Sequence, residues 1–133
     1  MVTRFSDWNW EGVDILEYTD RPGTFESVTR RTLGGDGDTA FQTRYFEVAP
    51  GGYTSYERHE HEHNVVVIRG QAKVRLGDDW HEIGAFDVVR VGPNVPHQFV
   101  NTGEEPFGMI CVVDKVRDRP VLMDTVGADQ ASK

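Results

Sequence analysis

The chain has 133 residues, a formal net charge of −8 and a single cysteine, Cys111. This length suits one domain, and the negative charge without a basic run predicts no nucleic-acid partner. No apolar stretch approaches the roughly 18 residues that a membrane span needs, so we expect no membrane contact. Since residues 1–11 have no apolar segment typical of a secretory signal, we also expect a cytoplasmic location.

Strand signals dominate from residue 41 onwards, whereas the first 40 residues are irregular and no window keeps a helical periodicity for three turns. The Pro50-Gly51-Gly52 segment is predicted to end the first strand as a turn. In chain order, the predicted strands are residues 41–48, 64–68, 72–76, 80–83, 86–91, 96–100 and 107–113.

This regular spacing of short strands predicts an all-β sandwich or barrel that forms one domain. Residues 1–40 are interpreted as an N-terminal extension that packs on the barrel or on a dimer partner. Residues 41–115 are expected to form the barrel, and residues 116–133 are expected to form a C-terminal segment that ends in a frayed tail.

The most informative segment contains three histidines, each two residues from the next. Glu57, His59, His61 and His63 would share one face if a single straight strand carried them. Placing three imidazoles and a carboxylate inside a barrel is costly unless a partner satisfies them, and a divalent metal ion would do so. The alternative is an exposed, solvated polar edge.

A fourth candidate ligand, His97, follows the rigid segment Gly92 to Pro96. Together the two stretches resemble the two motifs of the cupin family. Gly51-Gly52 precede the first cluster, and Gly70 follows His63 after six residues. In this resemblance His63 stands at the position of the motif's glutamate, as in small four-histidine cupins.

The remaining motif positions fall on residues of both stretches. His59 matches the second histidine of the first motif, and Glu57 stands where the first histidine is usual. Gly84, His97 and Asn101 match the second motif, with Val95 in place of its glycine. The resemblance implies an all-β fold: a single cupin jelly-roll β-barrel with an irregular N-terminal extension, and commonly a homodimer.

The resemblance also implies one divalent metal ion, with iron or manganese expected first and zinc or nickel as alternatives. The implied ligands are Glu57, His59, His63 and His97. Alternatively, Glu57 is not a ligand and acts as a base beside a three-histidine site. His61 falls in the bend between two strands of the family fold, so it is expected behind the ligands or at the mouth of the cavity, although a shifted register would make it a ligand in place of His59 or His63. With Glu57 it is the candidate for proton transfer.

An apolar wall is expected beside the metal. Phe99 should point inward with His97 because strand side chains alternate, and the resemblance places Met109 and Cys111 on the cavity-lining face of the last strand. Cys111 is not expected to act as a nucleophile, because no inward lysine or arginine is evident to lower its pKa. His81 is interpreted as a surface residue.

We expect a small-molecule substrate, and three classes of function fit these features. The sequence favours the first, a metal-dependent oxygenase of the dioxygenase type, in which the metal leaves open positions for dioxygen and substrate. The second is a non-redox lyase, isomerase or cyclase that uses the metal as a Lewis acid. The third is a non-catalytic binding protein. The net negative charge disfavours anionic substrates at long range.

Overall fold

The computed structural model describes residues 1–20, 24–117 and 120–123. Within these residues the secondary structure consists of strands, turns and bends, without a helix. The strands are β1 Phe5–Ser6, β2 Asn9–Trp10, β3 Leu16–Glu17, β4 Glu26–Gly34, β5 Phe41–Tyr53, β6 Glu57–Arg58, β7 His63–Arg69, β8 Gln71–Leu76, β9 Asp79–Gly84, β10 Val88–Val91, β11 His97–Val100, β12 Phe107–Asp114 and β13 Val121–Leu122.

Strands β1 and β2 form a small hairpin, and the other eleven strands join one curled, antiparallel sheet in the half-barrel arrangement of an all-β cupin fold. Its central path runs β10-β7-β12-β5-β11-β6-β13, with β3 and β4 added beside β5, and β8 and β9 added beside β11. Inward side chains from β5, β7, β11 and β12 line a common cavity. The seven strands predicted from the sequence correspond to β5 and β7 to β12.

Strand β5 is longer than expected, because it continues through the Pro50-Gly51-Gly52 segment to Tyr53. The expectation that this segment ends the strand is therefore corrected. The pairing of β4 with β5 shifts register there, and Gly51 takes the left-handed φ of 80° that glycine tolerates. The Gly51 N–H donates to the Asn101 carbonyl at 3.0 Å, so β5 passes from β4 to β11 at this irregularity.

The N-terminal residues contact the barrel of their own chain. The Trp8 ring stacks on Tyr45 at 6.0 Å between centroids, and the Trp10 ring lies 5.1 Å from the same tyrosine. Arg69 from β7 lies over Trp8 at 4.7 Å. Strand β4, inside the expected extension of residues 1–40, pairs along β5, so the sheet begins before residue 41.

At the other end, β13 pairs with β6 through Val121 and Leu122, and the expected frayed tail lies outside the described residues. Among the described residues there is no helix long and apolar enough to cross a membrane.

The Asn101 side chain connects the end of β11 by hydrogen bonds to β5 and to the turn before β12. Its Nδ2 donates to the carbonyls of Val48 at 2.9 Å and Glu105 at 2.8 Å, and its Oδ1 accepts from the Gly103 N–H at 2.9 Å. The side chain is buried, so removing it leaves several backbone groups without partners.

The Asn101→Ala variant is therefore expected to lose about 3 kcal/mol of the free energy of unfolding. Urea denaturation measures this loss, with Asn64→Ala as the control at an exposed asparagine. Equal stability of the two variants would show that the Asn101 hydrogen bonds contribute little.

Candidate metal centre

The histidine-rich segment does not run as one straight strand. Strand β6 ends at Arg58, residues 59–62 form a bend, and β7 begins at His63. Within the bend the His59 Nδ1–H donates to the His61 carbonyl at 2.7 Å. This bond fixes the His59 ring and turns the chain, so the ligand candidates meet through a bend rather than through strand alternation alone.

His97 reaches the same place from β11. Its Nδ1–H donates to the Val95 carbonyl at 2.9 Å, and the Asn94 N–H donates to the His59 carbonyl at 2.7 Å. The second bond ties the turn before β11 directly to the bend after β6. The two histidine-bearing segments are therefore held together by the backbone.

Three histidines converge in this arrangement: His59, His63 and His97 each offer a nitrogen, and these nitrogens all lie within 4.8 Å of one another. A carbonyl oxygen only accepts hydrogen bonds, so Nδ1 of His59 and of His97 carries the proton and Nε2 keeps its lone pair. The Nε2 atoms of His59 and His63 are buried and have no hydrogen-bond partner in the described part of the chain.

Buried polar atoms without partners are costly, and converging imidazole nitrogens are ligands suited to a divalent transition metal. In a metal-binding histidine, the ring nitrogen that does not bind the metal normally donates to a carbonyl or carboxylate, which orients the ring. The Nδ1 atoms of His59 and His97 make such bonds here. The residues therefore fit a metal ion, held by His59, His63 and His97.

The rings of His63 and His97 are neutral at physiological pH. Burial, together with the smaller effects of the charges of the neighbouring histidines and Arg44, lowers the pKa of His63 to about 2. Burial also lowers the pKa of His97 to about 4, although the hydrogen bond to Val95 opposes this shift. Because only a neutral imidazole offers a lone pair, protons do not compete with the metal for these two rings near pH 7.

A pH dependence of stability follows for the metal-free protein. Below its ordinary pKa of about 6.5, His97 takes up a proton in the unfolded chain but not in the folded protein, so stability falls as the pH drops towards 4. We expect His97 to contribute a loss of about 2 kcal/mol between pH 7 and pH 5.

Urea denaturation in chelator, compared between wild type and His97→Gln, measures this contribution. The variant should lose less stability over the same pH interval. The same pH dependence in both proteins would contradict the low pKa of His97.

Glu57 lies in the same cavity but falls outside the group of three nitrogens. It pairs with His97 across β6 and β11, and the Ser55 hydroxyl donates to its Oε2 at 2.6 Å. Burial raises the pKa of its carboxyl, and the Ser55 hydrogen bond and the charge of His59 oppose this shift. Its roles as a fourth ligand and as a proton-transfer group both stay predictions.

His61 lies in the bend, as the resemblance implied, and it too lines the cavity. Its ring stacks on His59 with centroids 3.7 Å apart. It falls outside the group of three nitrogens. Its backbone carbonyl accepts the hydrogen bond that orients the His59 ring. Proton transfer by the His61 side chain also stays a prediction.

The three expected wall residues, Phe99, Met109 and Cys111, line this cavity, which has a volume of about 280 Å³. Sequence reasoning did not identify Arg44 and Arg117, which line it as well. On β5 the side chain of Arg44 points to the same face as those of Phe46 and Val48, because every second residue of a strand shares a face. This alternation was the sequence signal that could have placed Arg44 in the cavity.

The environment of Cys111 corrects one reason given from the sequence. Arg44 pairs with Cys111 across β5 and β12, so an inward arginine does stand beside the thiol. Burial nevertheless raises the pKa of the Cys111 thiol, although the charge and hydrogen bond of Arg44 oppose the shift. The thiol is therefore protonated at neutral pH, and the conclusion that Cys111 is a poor nucleophile keeps its support from burial instead.

Comparison with known proteins places this site in a family. A family model described as a cupin domain matches residues 44–113. The 1-methylthio-D-xylulose 5-phosphate methylsulfurylase of Rhodospirillum rubrum is 36% identical over 118 residues, which are 88% of this chain and 76% of that protein.

Two crystal structures are similar over most of the chain. A cupin-2 domain protein of Rhodospirillum rubrum has a TM-score of 0.84 at 32% identity, with 98% of this chain and 88% of that chain covered. A cupin 2 conserved barrel domain protein of Rhodopseudomonas palustris has a TM-score of 0.86 at 34% identity, with 92% and 86% covered. The chain therefore belongs to the cupin family, and three of its histidines are positioned to bind a metal ion.

Proposed function

We propose that this protein is a metal-dependent enzyme that acts on a small, carbonyl-bearing substrate without consuming dioxygen. The observation that carries the proposal is the convergence of three imidazoles in a cavity that also holds a carboxyl with a raised pKa, Glu57. A divalent ion at the three histidines would supply Lewis-acid polarisation of a carbonyl oxygen.

Glu57 has the properties of the proton-transfer group in this proposal. Burial raises the pKa of its carboxyl, which makes it a better proton acceptor than an ordinary carboxylate. The Ser55 hydroxyl holds one carboxylate oxygen at 2.6 Å, so the other oxygen is the one available to the substrate. Phe99, Met109 and Cys111 add a largely apolar wall that limits access of water.

The methylsulfurylase relative supports a particular class of substrate, because its name specifies a phosphorylated ketose with a methylthio group. In such a ketose the carbonyl lies next to the carbon that bears sulfur. Withdrawal of electrons from this carbonyl both acidifies the neighbouring C–H bonds and weakens the bond from carbon to sulfur. We propose that this chain acts on a methylthio ketose phosphate or a close analogue.

A dioxygenase-type oxygenase is the second candidate function. The specific observation in its favour is that the group of three nitrogens leaves other coordination positions free for dioxygen and substrate. Iron or manganese is the expected ion for this chemistry, whereas the Lewis-acid function is also compatible with zinc or nickel.

Anaerobic turnover separates the two functions. The protein is loaded separately with iron, manganese, zinc or nickel and supplied with 1-methylthio-D-xylulose 5-phosphate and a small thiol. In the expected reaction the carbon–sulfur bond breaks, the thiol is oxidised to a mixed disulfide with the methylthio sulfur, and the ketose carbon takes the proton. Proton NMR then follows the methylthio signal with and without air. We expect turnover that is independent of oxygen and lost in chelator. Turnover that requires oxygen supports the oxygenase instead, and turnover that persists without metal contradicts both.

A further inference from the structure

Arg44 is a charged side chain in an unusual position. It lies on β5 between Thr32 of β4 and Cys111 of β12, and only 6% of its surface is exposed. Its guanidinium carbon lies 4.9 Å from the centroid of the Phe46 ring. Its Nε is buried without a hydrogen-bond partner, and no ion pair within the described residues involves it.

A buried guanidinium without a carboxylate partner is expensive, because the protein interior does not replace the water that it gives up. The nearby thiol of Cys111 is protonated at neutral pH and does not neutralise it. Burial raises the pKa of Glu57 in the same cavity and the charge of Arg44 lowers it, but Glu57 bonds Ser55 and forms no ion pair with the guanidinium among the described residues. The position therefore favours a further anion beside Arg44.

Arg117 adds a second positive charge to the same cavity. Its Nη1 donates to the Asp114 backbone carbonyl at 2.9 Å and reaches the Gln42 side-chain oxygen at 3.5 Å, and both of these acceptors are neutral. Among the described lining residues Glu57 is the only carboxylate, and it bonds Ser55. The cavity is thus locally positive within a chain whose net charge is −8.

The sheet places this positive region at a useful distance from the histidines. Cys111 pairs with Arg44 on one side and with Val65 on the other, and His63 lies two residues before Val65 on the same strand. Neighbouring strands are about 4.8 Å apart, so the backbone of Arg44 lies about 10 Å from that of β7. One small molecule can therefore contact the guanidinium and the metal position together.

We propose that Arg44 and Arg117 form a phosphate-binding subsite, which holds the dianionic end of the substrate while its carbonyl end faces His59, His63 and His97. The orientation of the carbonyl end rests on the proposed function, whereas the anion subsite rests on the arginines alone. A phosphate monoester carries close to two negative charges at pH 7, and the planar guanidinium forms paired hydrogen bonds with its oxygens.

The subsite is compatible with the net negative charge of the chain. Long-range repulsion by an acidic protein acts on approach and is screened over about 10 Å at moderate salt, whereas the local charges of the cavity act on the bound molecule.

Inorganic phosphate is the probe for the subsite, and isothermal titration calorimetry of the full-length, purified protein is the measurement. We expect millimolar or tighter binding that weakens at least about tenfold in Arg44→Gln, since a hydrogen-bonded charge partner is lost. Arg117→Gln, at a half-buried position that tolerates substitution more readily, should also weaken binding. Arg90→Gln is the matched control, because this arginine is exposed and outside the cavity.

The metal site is tested separately with His63→Ala. Retained phosphate binding in this variant is expected even if the proposed enzymatic function fails. Loss of binding in His63→Ala together with full binding in both arginine variants would show that phosphate ligates the metal, and would overturn the subsite. Absence of phosphate binding, or acetate binding as tight as phosphate, would overturn it as well. Thermal unfolding of each variant shows that it is folded, and Arg44→Lys should bind better than Arg44→Gln.

Discussion

Replacing His97 with alanine is expected to weaken metal binding by more than about 100-fold, because even residues that only orient a ligand contribute about 10- to 100-fold to affinity. His97 supplies one of the three converging nitrogens. The turn that precedes His97 is also hydrogen-bonded to the bend that carries His59. Removing the His97 ring leaves only two of the three nitrogens to hold the ion.

Elemental mass spectrometry after dialysis measures this effect, beside His63→Ala and the control His81→Ala. His81 lies exposed on β9, so its variant should keep the metal content of the wild type. Wild-type metal content in His97→Ala would show that the ion, if present, is held elsewhere.

The second large effect is expected for Glu57→Gln, which should retain metal but lower kcat by about 10²- to 10⁴-fold, the range that positioned proton transfer contributes. The substitution keeps the shape of the side chain and removes its ability to take a proton. The metal is retained because Glu57 falls outside the three-nitrogen group.

Glu60→Gln is the control, since Glu60 is an exposed glutamate in the neighbouring bend. Activity is followed with the methylthio ketose phosphate, and metal content is measured on the same samples. Loss of metal in Glu57→Gln would instead make Glu57 a ligand, as the motif resemblance implies. Unchanged kcat would remove Glu57 from the chemistry.

The strands of the barrel could be predicted from the sequence because their turns are marked by glycine, proline and aspartate. The course of β5 past Gly52 could not, because its register shift is stabilised by β11, about 50 residues away in the chain. Likewise, β4 has no clean alternation and is recognisable only through its pairing with β5.

The histidines of the site were predictable because their spacing is unusual, but the geometry that selects among them was not. The bond from His59 to the His61 carbonyl bends the segment, and only tertiary contacts bring His97 to it. The place of Glu57 beside the three nitrogens depends on side-chain rotamers that the spacing does not determine.

Arg44 was missed for a different reason. Its strand is buried on both faces, since Tyr45 is covered by Trp8 and Trp10 while Phe46 faces the cavity. With apolar residues on both faces the alternation does not identify the inner one, and charged residues in strands usually face solvent. The packing of Trp8 and Trp10 on Tyr45 is a tertiary contact, and the sequence around Tyr45 does not reveal it.

The central claim is that His59, His63 and His97 together bind one divalent ion through imidazole nitrogen. X-ray absorption spectroscopy of the zinc-loaded protein tests it most directly, because scattering from imidazole rings reports how many are bound. We predict three imidazoles with Zn–N distances of about 2.0–2.1 Å and no sulfur at about 2.3 Å. A shell of oxygen alone, a Zn–S distance from Cys111, or failure of the protein to retain zinc, iron, manganese or nickel would contradict it.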